Sequence, residues 1–261
     1  MILIFNEVIR GFRSLFPRGK FRLILIGLSA IAAGISVSEL LVMKFFSKLI
    51  LEESKIEQST FTLLVVGFLL FFIVTRIGQY FQRSYRVRAF EKSFKAANRE
   101  RTKREENAEW VMAFELTNIL GYAVQLVAIL LFFALIKPAV ALINILIIFG
   151  ILQVMGRIFS KQLVIQRQML QLKGEDAPRA AHQHATRVKA GEGGALASGV
   201  GMLLLLCVLL FFGLDGQISA SNTLVIFLGA RLQNSVLSNT SRSLAKYARS
   251  QVVVVTDTDV D

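Results

Sequence analysis

Residues 60–82 read TFTLLVVGFLLFFIVTRIGQYFQ, a stretch that is long and apolar enough to cross a lipid bilayer. A spanning helix needs about 20 mostly apolar residues, because the hydrocarbon core is about 30 Å thick. Five further segments meet this requirement: 23–43, 114–136, 138–159, 195–213 and 219–237. The chain has 261 residues, is 54% hydrophobic and contains only three prolines. The sequence therefore predicts an all-α membrane protein with six transmembrane helices.

The basic residues predict how these helices are oriented. The net charge is +12, and 23 of the 30 Lys and Arg residues fall in the segments on one side of the predicted bundle: 1–22, 83–106, 161–189 and 238–261. Basic loops stay on the cytoplasmic side of a membrane. We therefore expect a protein of a bacterial cytoplasmic membrane, with both termini in the cytoplasm. We attribute the positive charge to membrane topology and not to nucleic-acid binding.

Three regions follow from this pattern. Residues 1–22 form a basic segment that can lie on the membrane as an amphipathic helix, with Ile4, Phe5, Val8 and Phe12 on one side. Residues 23–250 form the six-helix domain, and 251–261 form a short tail. The inner connections carry few helix breakers, so we expect cytoplasmic helical extensions, with a break between Gly174 and Pro178. The outer connections are short, and Asp215-Gly216 predicts a bend.

Polar side chains recur at helical spacing inside the apolar segments. The stripes are Ser29, Ser36 and Glu39; Arg76, Gln79, Arg83 and Arg86; Glu115, Asn118, Tyr122 and Gln125; Gln153, Arg157 and Lys161; and Arg231, Asn234, Ser238 and Ser241. Charges in spans usually face the bundle interior or water. We therefore predict a polar cavity, open to the cytoplasm, that is lined by Arg76, Gln79, Glu115, Asn118, Tyr122, Arg157, Arg231 and Asn234. The alternative is that such residues join helices by hydrogen bonds, or that Arg83, Arg86 and Lys161 reach the interface.

Glu39 lies in the apolar run ISVSELLVMKFF, residues 35–46. One interpretation is a proton carrier. The other is a structural residue near the outer boundary of the first span, which Lys44 and Lys48 favour because they indicate nearby water.

Motifs for catalysis and metal binding do not occur. The sequence contains no G-x-x-x-x-G-K-[ST], no HExxH and no G-x-S-x-G. Cys207 is the only cysteine, and His182 and His184 are two residues apart, which places them on different faces of a helix. We therefore predict no catalytic residues, no metal site and no cofactor held by this chain.

Two stretches carry a resemblance to a known family. Residues 14–50, SLFPRGKFRLILIGLSAIAAGISVSELLVMKFFSKLI, resemble the first span of exporters related to the lipid-linked-oligosaccharide flippases, with a basic patch before an apolar run that contains a Glu. Residues 216–250, GQISASNTLVIFLGARLQNSVLSNTSRSLAKYARS, resemble the last span of such proteins. As a topology, nearly the whole chain looks like the transmembrane domain of ABC exporters.

This resemblance implies a membrane transport subunit that works as a homodimer or heterodimer and moves an amphipathic cargo, either lipid-linked or peptide. The inner hairpins are shorter than those of the family and no nucleotide-binding domain follows the last span, so ATP and Mg²⁺ would be bound by a separate nucleotide-binding protein. Two alternatives stay open: a proton-coupled secondary transporter of the same fold, with Glu39 and Glu115 as carriers, and a structural or regulatory membrane subunit that does not transport.

Overall fold

The computed structural model of the chain describes residues 9, 20–51, 57–97, 103–171 and 180–258. These residues form six long α-helices and no strand. In chain order the helices are α1 (Lys20–Leu51), α2 (Gln58–Ala97), α3 (Lys103–Ile136), α4 (Pro138–Gln171), α5 (Ala180–Leu214) and α6 (Ala220–Thr258). The fold is therefore all-α, as the sequence predicts.

Five of these helices are long and apolar enough to cross a membrane. Their candidate spans are Ile26–Leu51, Gln58–Arg88, Glu105–Ile136, Pro138–Met169 and His184–Leu214. This is compatible with a multi-pass membrane protein. The sixth predicted segment, 219–237, belongs to α6, which does not qualify because Arg231, Gln233 and Asn234 interrupt its apolar run.

Local sequence accounts for the two short turns. At the end of α5, Gly216 adopts a φ of 68°, which is a left-handed conformation that glycine enters without steric cost. The backbone N–H of Gly216 donates to Gly213 O (3.2 Å), and that of Gln217 donates to Phe212 O (3.1 Å). This pair of bonds is a Schellman motif, which ends the helix. The predicted bend at Asp215-Gly216 is confirmed.

The turn between α3 and α4 lies at the same end of the bundle as the turn between α5 and α6. Pro138 is the first residue of α4, a position at which its missing N–H costs nothing. The neighbouring Lys137 donates from Nζ to Gln217 Oε1 (3.2 Å), and its ammonium lies 5.5 Å from the centroid of the Phe212 ring. The opposite end therefore carries the long basic extensions of the helices.

Helix α6 makes the most extensive packing contacts. It packs against α1, α3, α4 and α5, whereas α2 packs mainly against α1. One apolar core joins α1 and α3–α6 around Ile129, Phe133 and Ile226. A second core near the basic end surrounds Tyr247 and Phe90, both of which are fully buried. A helix too polar to face lipid is thus enclosed by its neighbours.

Small residues in the run GGALASGVG, residues 193–201, allow α5 to approach α6 closely. A Cβ at Gly194 would overlap the side chain of Ser241, and Ser241 Oγ donates to the carbonyl of Gly191 (3.1 Å). Farther along, Ser198 Oγ donates to the side chain and to the carbonyl of Asn234. Small residues that bring backbones together, with hydroxyls that bond across, are typical of helix pairs in membranes.

A reciprocal amide pair joins α4 to α6. Asn144 Nδ2 donates to Gln233 Oε1 (2.7 Å), and Gln233 Nε2 donates to Asn144 Oδ1 (2.9 Å). Both side chains are buried, Asn144 completely. Water does not reach such a site, so each amide depends on the other for its hydrogen bonds. Neither residue belongs to the predicted polar stripes.

Some predicted segments differ from the helices or lie outside the described residues. The amphipathic N-terminal helix, with Ile4, Phe5, Val8 and Phe12, and the break from Gly174 to Pro178 both fall outside the described ranges. The predicted tail, 251–261, overlaps α6, which continues to Thr258.

The Asn144–Gln233 pair leads to a stability prediction. Asn144→Leu or Gln233→Leu leaves one buried amide unpaired, so each should lower stability by about 1 kcal/mol. Thermal or denaturant unfolding in mild detergent measures these costs. The double variant should cost less than the sum of the two single variants, by about 0.6 to 1.7 kcal/mol. Gln153→Leu, at an exposed position of α4, is the matched control. Strictly additive costs would contradict the pairing.

The positions of the turns and of the basic ends lead to a topology prediction. In a Cys207→Ala background, Asp215→Cys lies in an exposed turn and Arg249→Cys lies on the exposed face of α6 near the basic end. A membrane-impermeant maleimide should label Asp215→Cys in intact cells, and should label Arg249→Cys only after permeabilisation. Labelling of Arg249→Cys in intact cells would reverse the orientation.

Candidate functional site

A cavity of about 470 Å³ lies between α1, α2, α3 and α6. Each helix contributes residues at helical spacing: Leu28, Ala32, Ile35 and Glu39; Gln79, Gln82, Arg83 and Arg86; Thr117, Asn118, Gly121, Tyr122 and Gln125; and Leu232, Ser235, Val236 and Asn239. Spacings of three, four and seven residues place side chains on one helix face. The cavity therefore has one largely apolar wall, from α1, and polar walls from α2 and α3.

Glu39 lies in this cavity at the middle of the α1 span. It is thirteen residues from Ile26 and twelve residues from Leu51, the two ends of that span. Gln79 Nε2 donates to Glu39 Oε1 (3.0 Å), which joins α1 to α2. This position is farther from the outer end of the helix than the sequence predicts. The physical reason is that α1 continues to Leu51, beyond the predicted end at residue 43.

A chain of polar contacts links α2, α3 and α6 at the end of the cavity nearer the basic extensions. Arg86 Nη1 donates to Asn118 Oδ1, and Asn118 Nδ2 donates to Glu115 Oε2 (3.3 Å). The other carboxylate oxygen of Glu115 pairs with Lys246 Nζ (3.2 Å). Glu115 is buried and Lys246 is half-exposed. Glu115 is therefore held behind the cavity wall and its charge is matched by Lys246 of α6.

Arg86 is held by partners that carry no charge. Its guanidinium lies 4.5 Å from the centroid of the Phe114 ring, and its hydrogen-bond acceptor is the amide of Asn118. Its Nε atom is buried and has no hydrogen-bond partner among the described residues. Arg83, one turn earlier on α2, is exposed and lines the cavity. Two guanidinium groups thus stand at one end of the cavity.

The structure brings together some of the predicted cavity residues and separates others. Glu39, Gln79, Asn118 and Tyr122 line the cavity, and Glu115 lies directly behind it. Arg76, Arg157 and Arg231 are exposed on the outside of the bundle, away from the lining. Asn234 accepts a hydrogen bond from Ser198 between α5 and α6. The role of these residues in cargo binding stays a prediction.

Other lining residues were not among the predicted site residues. Arg83, Arg86 and Gln125 belong to the predicted stripes of α2 and α3, but not to the predicted cavity lining. On α6 the lining residues are Ser235 and Asn239, one position away from the predicted stripe at Asn234 and Ser238. Three consecutive polar residues, 233–235, point in three directions on a helix. Periodicity alone could not select the cavity face there.

Comparison with protein-family models and with curated proteins finds no match to this chain. A functional assignment therefore depends on the cavity. The relevant features are its position among apolar helices and the charged and polar residues that line it.

Proposed function

We propose that this chain is a membrane transport subunit of the ABC-exporter type, and that the cavity between α1, α2, α3 and α6 binds an amphipathic cargo. The observation that supports this is the cluster of charged and amide side chains inside helices that are otherwise apolar. A charge within a span is costly, and such residues commonly mark the path of a substrate or an ion. A cavity of about 470 Å³ is large enough for the polar part of a lipid-like molecule.

The charges favour a cargo with an anionic group. Arg83 and Arg86 line the cavity, and a guanidinium pairs with phosphate or carboxylate through two parallel hydrogen bonds. Arg76, Arg157 and Arg231, which the sequence predicts in the cavity lining, lie outside it. Next to the cavity, α2 exposes Tyr80 and Phe81. This apolar surface suits the chain of a lipid-linked or peptide cargo.

Transport of this kind needs an energy source, and the chain contains no P-loop. We infer that a separate nucleotide-binding protein supplies ATP hydrolysis with Mg²⁺. The basic ends of the helices suit such a partner, because α2 has 40 residues and so extends about 60 Å, about twice the thickness of the hydrocarbon core. We also propose that these ends and both termini lie in the cytoplasm, which the charge distribution supports, and that the membrane is a bacterial cytoplasmic membrane.

The exposed position of Arg231 on the outer surface of the bundle supports the proposal that the chain forms a dimer. Arg231 is exposed and lies eleven residues after Ala220, about 16 Å along α6, which is near the middle of a bilayer. A guanidinium at that depth is costly against lipid and usually faces protein or water. A second transmembrane subunit, identical or homologous, would cover Arg231 and exclude lipid from it.

A bulky side chain in the cavity tests this function. Ser235→Trp places an indole in the lining without removing a hydrogen bond between helices, so folding should be retained. Movement of a fluorescent short-chain anionic phospholipid between the leaflets of proteoliposomes, measured with the co-purified nucleotide-binding partner and ATP, should fall about tenfold or more, since each 1.4 kcal/mol of lost binding is tenfold.

Gln153→Trp, at an exposed position of α4 outside the cavity, is the matched control and should transport normally. Equal rates in both variants would exclude the cavity as the cargo site. If no P-loop protein co-purifies and no lipid moves, the chain is a structural or regulatory subunit.

A second candidate function is favoured by the position of Glu39. Its carboxylate faces the cavity at mid-span and accepts a hydrogen bond from a neutral amide, Gln79. A carboxylate in that position can take up and release a proton in a secondary transporter, whereas Glu115 is already paired with Lys246.

Glu39→Gln separates the two functions, because glutamine keeps the size of the side chain and a hydrogen bond to Gln79 but does not titrate. If Glu39 is structural, the Glu39→Gln protein should fold, and a pH gradient should not change its rate of lipid movement. Loss of pH-driven lipid movement in a folded Glu39→Gln protein, with cargo binding retained, would establish proton coupling. The measurement is leaflet exchange in proteoliposomes with and without a pH gradient.

A further inference from the structure

The two ends of the cavity carry opposite charges. The hydrogen bond between Gln79 and Glu39 places the carboxylate level with Gln79 on α2. At a rise of 1.5 Å per residue, Arg83 lies about 6 Å farther along the helix and Arg86 about 10 Å farther. The amide side chain of Gln82 lies between the two levels, and that of Asn118 is bonded to Arg86. The cavity is therefore negative at mid-span and positive toward the basic end.

Neither end is neutralised by an ion pair. In the described part of the chain, Glu39 is hydrogen-bonded to the neutral Gln79, and Arg86 contacts the neutral Asn118 and Phe114. Arg76 is exposed on the outside of the bundle, with its guanidinium 5.3 Å from the centroid of the Phe72 ring. By contrast, the nearby carboxylate of Glu115 is paired with Lys246. Glu39 and Arg86 thus face the cavity without an ion-pair partner among the described residues, and the charges of Arg76 and Glu115, respectively, act on them from beyond ion-pair distance.

A ligand with a single charge does not satisfy this arrangement. An anion held by Arg83 and Arg86 would leave Glu39 without a counter-charge and would place a second negative charge in the same cavity. In a medium of low dielectric, an uncompensated charge is costly, whereas a matched pair of charges offsets part of its desolvation. A ligand with both charges, several ångströms apart, pairs with both ends at once.

From these charges we propose that the cavity binds a zwitterionic group, with its anionic part at Arg83 and Arg86 and its ammonium part at Glu39. The proposal rests on the proposed function, because it names the charge type of the cargo. The same chemistry can belong to a lipid head group or to a small soluble zwitterion, and the experiment distinguishes these two sources.

Four probes test the proposal: hexylphosphocholine, hexyl methyl phosphate (a singly charged phosphodiester, hereafter hexyl phosphate), hexyltrimethylammonium and glycerophosphocholine. The purified full chain is kept in an uncharged maltoside detergent at constant salt, and affinities are measured by calorimetry. The single tryptophan, Trp110, gives a second readout, since it packs against Phe114, the ring under Arg86. Hexylphosphocholine should bind about tenfold or more tightly than the two singly charged hexyl probes, because it gains one additional charge-assisted contact.

Two variants then assign the charges. Glu39→Gln should reduce hexylphosphocholine binding about tenfold, to the level of hexyl phosphate, and should not weaken hexyl phosphate binding. Arg83→Gln should weaken hexyl phosphate and hexylphosphocholine about tenfold each and should not weaken hexyltrimethylammonium binding. Arg83 is exposed, so this variant should fold, and gel filtration with thermal unfolding verifies it. Arg157→Gln, at an exposed position outside the cavity, is the matched control and should bind all probes as the parent chain does.

The outcomes are distinct. Weak binding of glycerophosphocholine beside tight binding of hexylphosphocholine indicates a lipid head group, whereas equal binding of the two indicates a soluble zwitterion. Equal affinity for hexyl phosphate and hexylphosphocholine, with no effect of Glu39→Gln, overturns the zwitterion proposal and leaves the anionic cargo of the proposed function intact. Absence of binding by every probe overturns both.

Discussion

The arrangement of the six helices depends on the enclosure of α6. Its polar side chains Gln233 and Asn234 would be costly against lipid, and four other helices cover most of its surface. Once covered, each buried polar group needs a partner. Gln233 finds Asn144 on α4, and Asn234 finds Ser198 on α5. These bonds fix the position of α4 and α5 along α6, and the face of α6 that remains open becomes a wall of the cavity.

Most of the fold could be predicted from the sequence because its signals are local. Apolar runs of spanning length predict helices, and a glycine after the last helical residue or a proline at the first predicts the ends that the structure has at Gly216 and Pro138. Two features were not local. Helix α1 continues past Lys44 and Lys48 to Leu51, so Glu39 lies at the middle of the candidate span. The enclosure of α6 depends on tertiary contacts, which hydropathy does not register.

The cavity could be predicted only in part, for a related reason. On α3 the polar residues Asn118, Tyr122 and Gln125 are separated by apolar residues, so this stripe identifies one face. On α4 a similar stripe, with Gln153 and Arg157, is exposed on the outside of the bundle. Periodicity thus shows that a helix has a polar face, whereas the packing of the neighbouring helices decides whether that face meets the cavity or the surroundings.

Charge, more than polarity, separates the side chains that hold the bundle from those that face the cavity. Asn144 and Gln233 are neutral, and their two reciprocal bonds leave little electric field beyond the pair. Glu115 is charged, but Lys246 matches it. Glu39 and Arg86 are hydrogen-bonded to amides and have no ion-pair partner among the described residues. Coulomb interactions are strong in an environment of low dielectric, so these two charges are the physical basis of the proposed binding of a charged ligand.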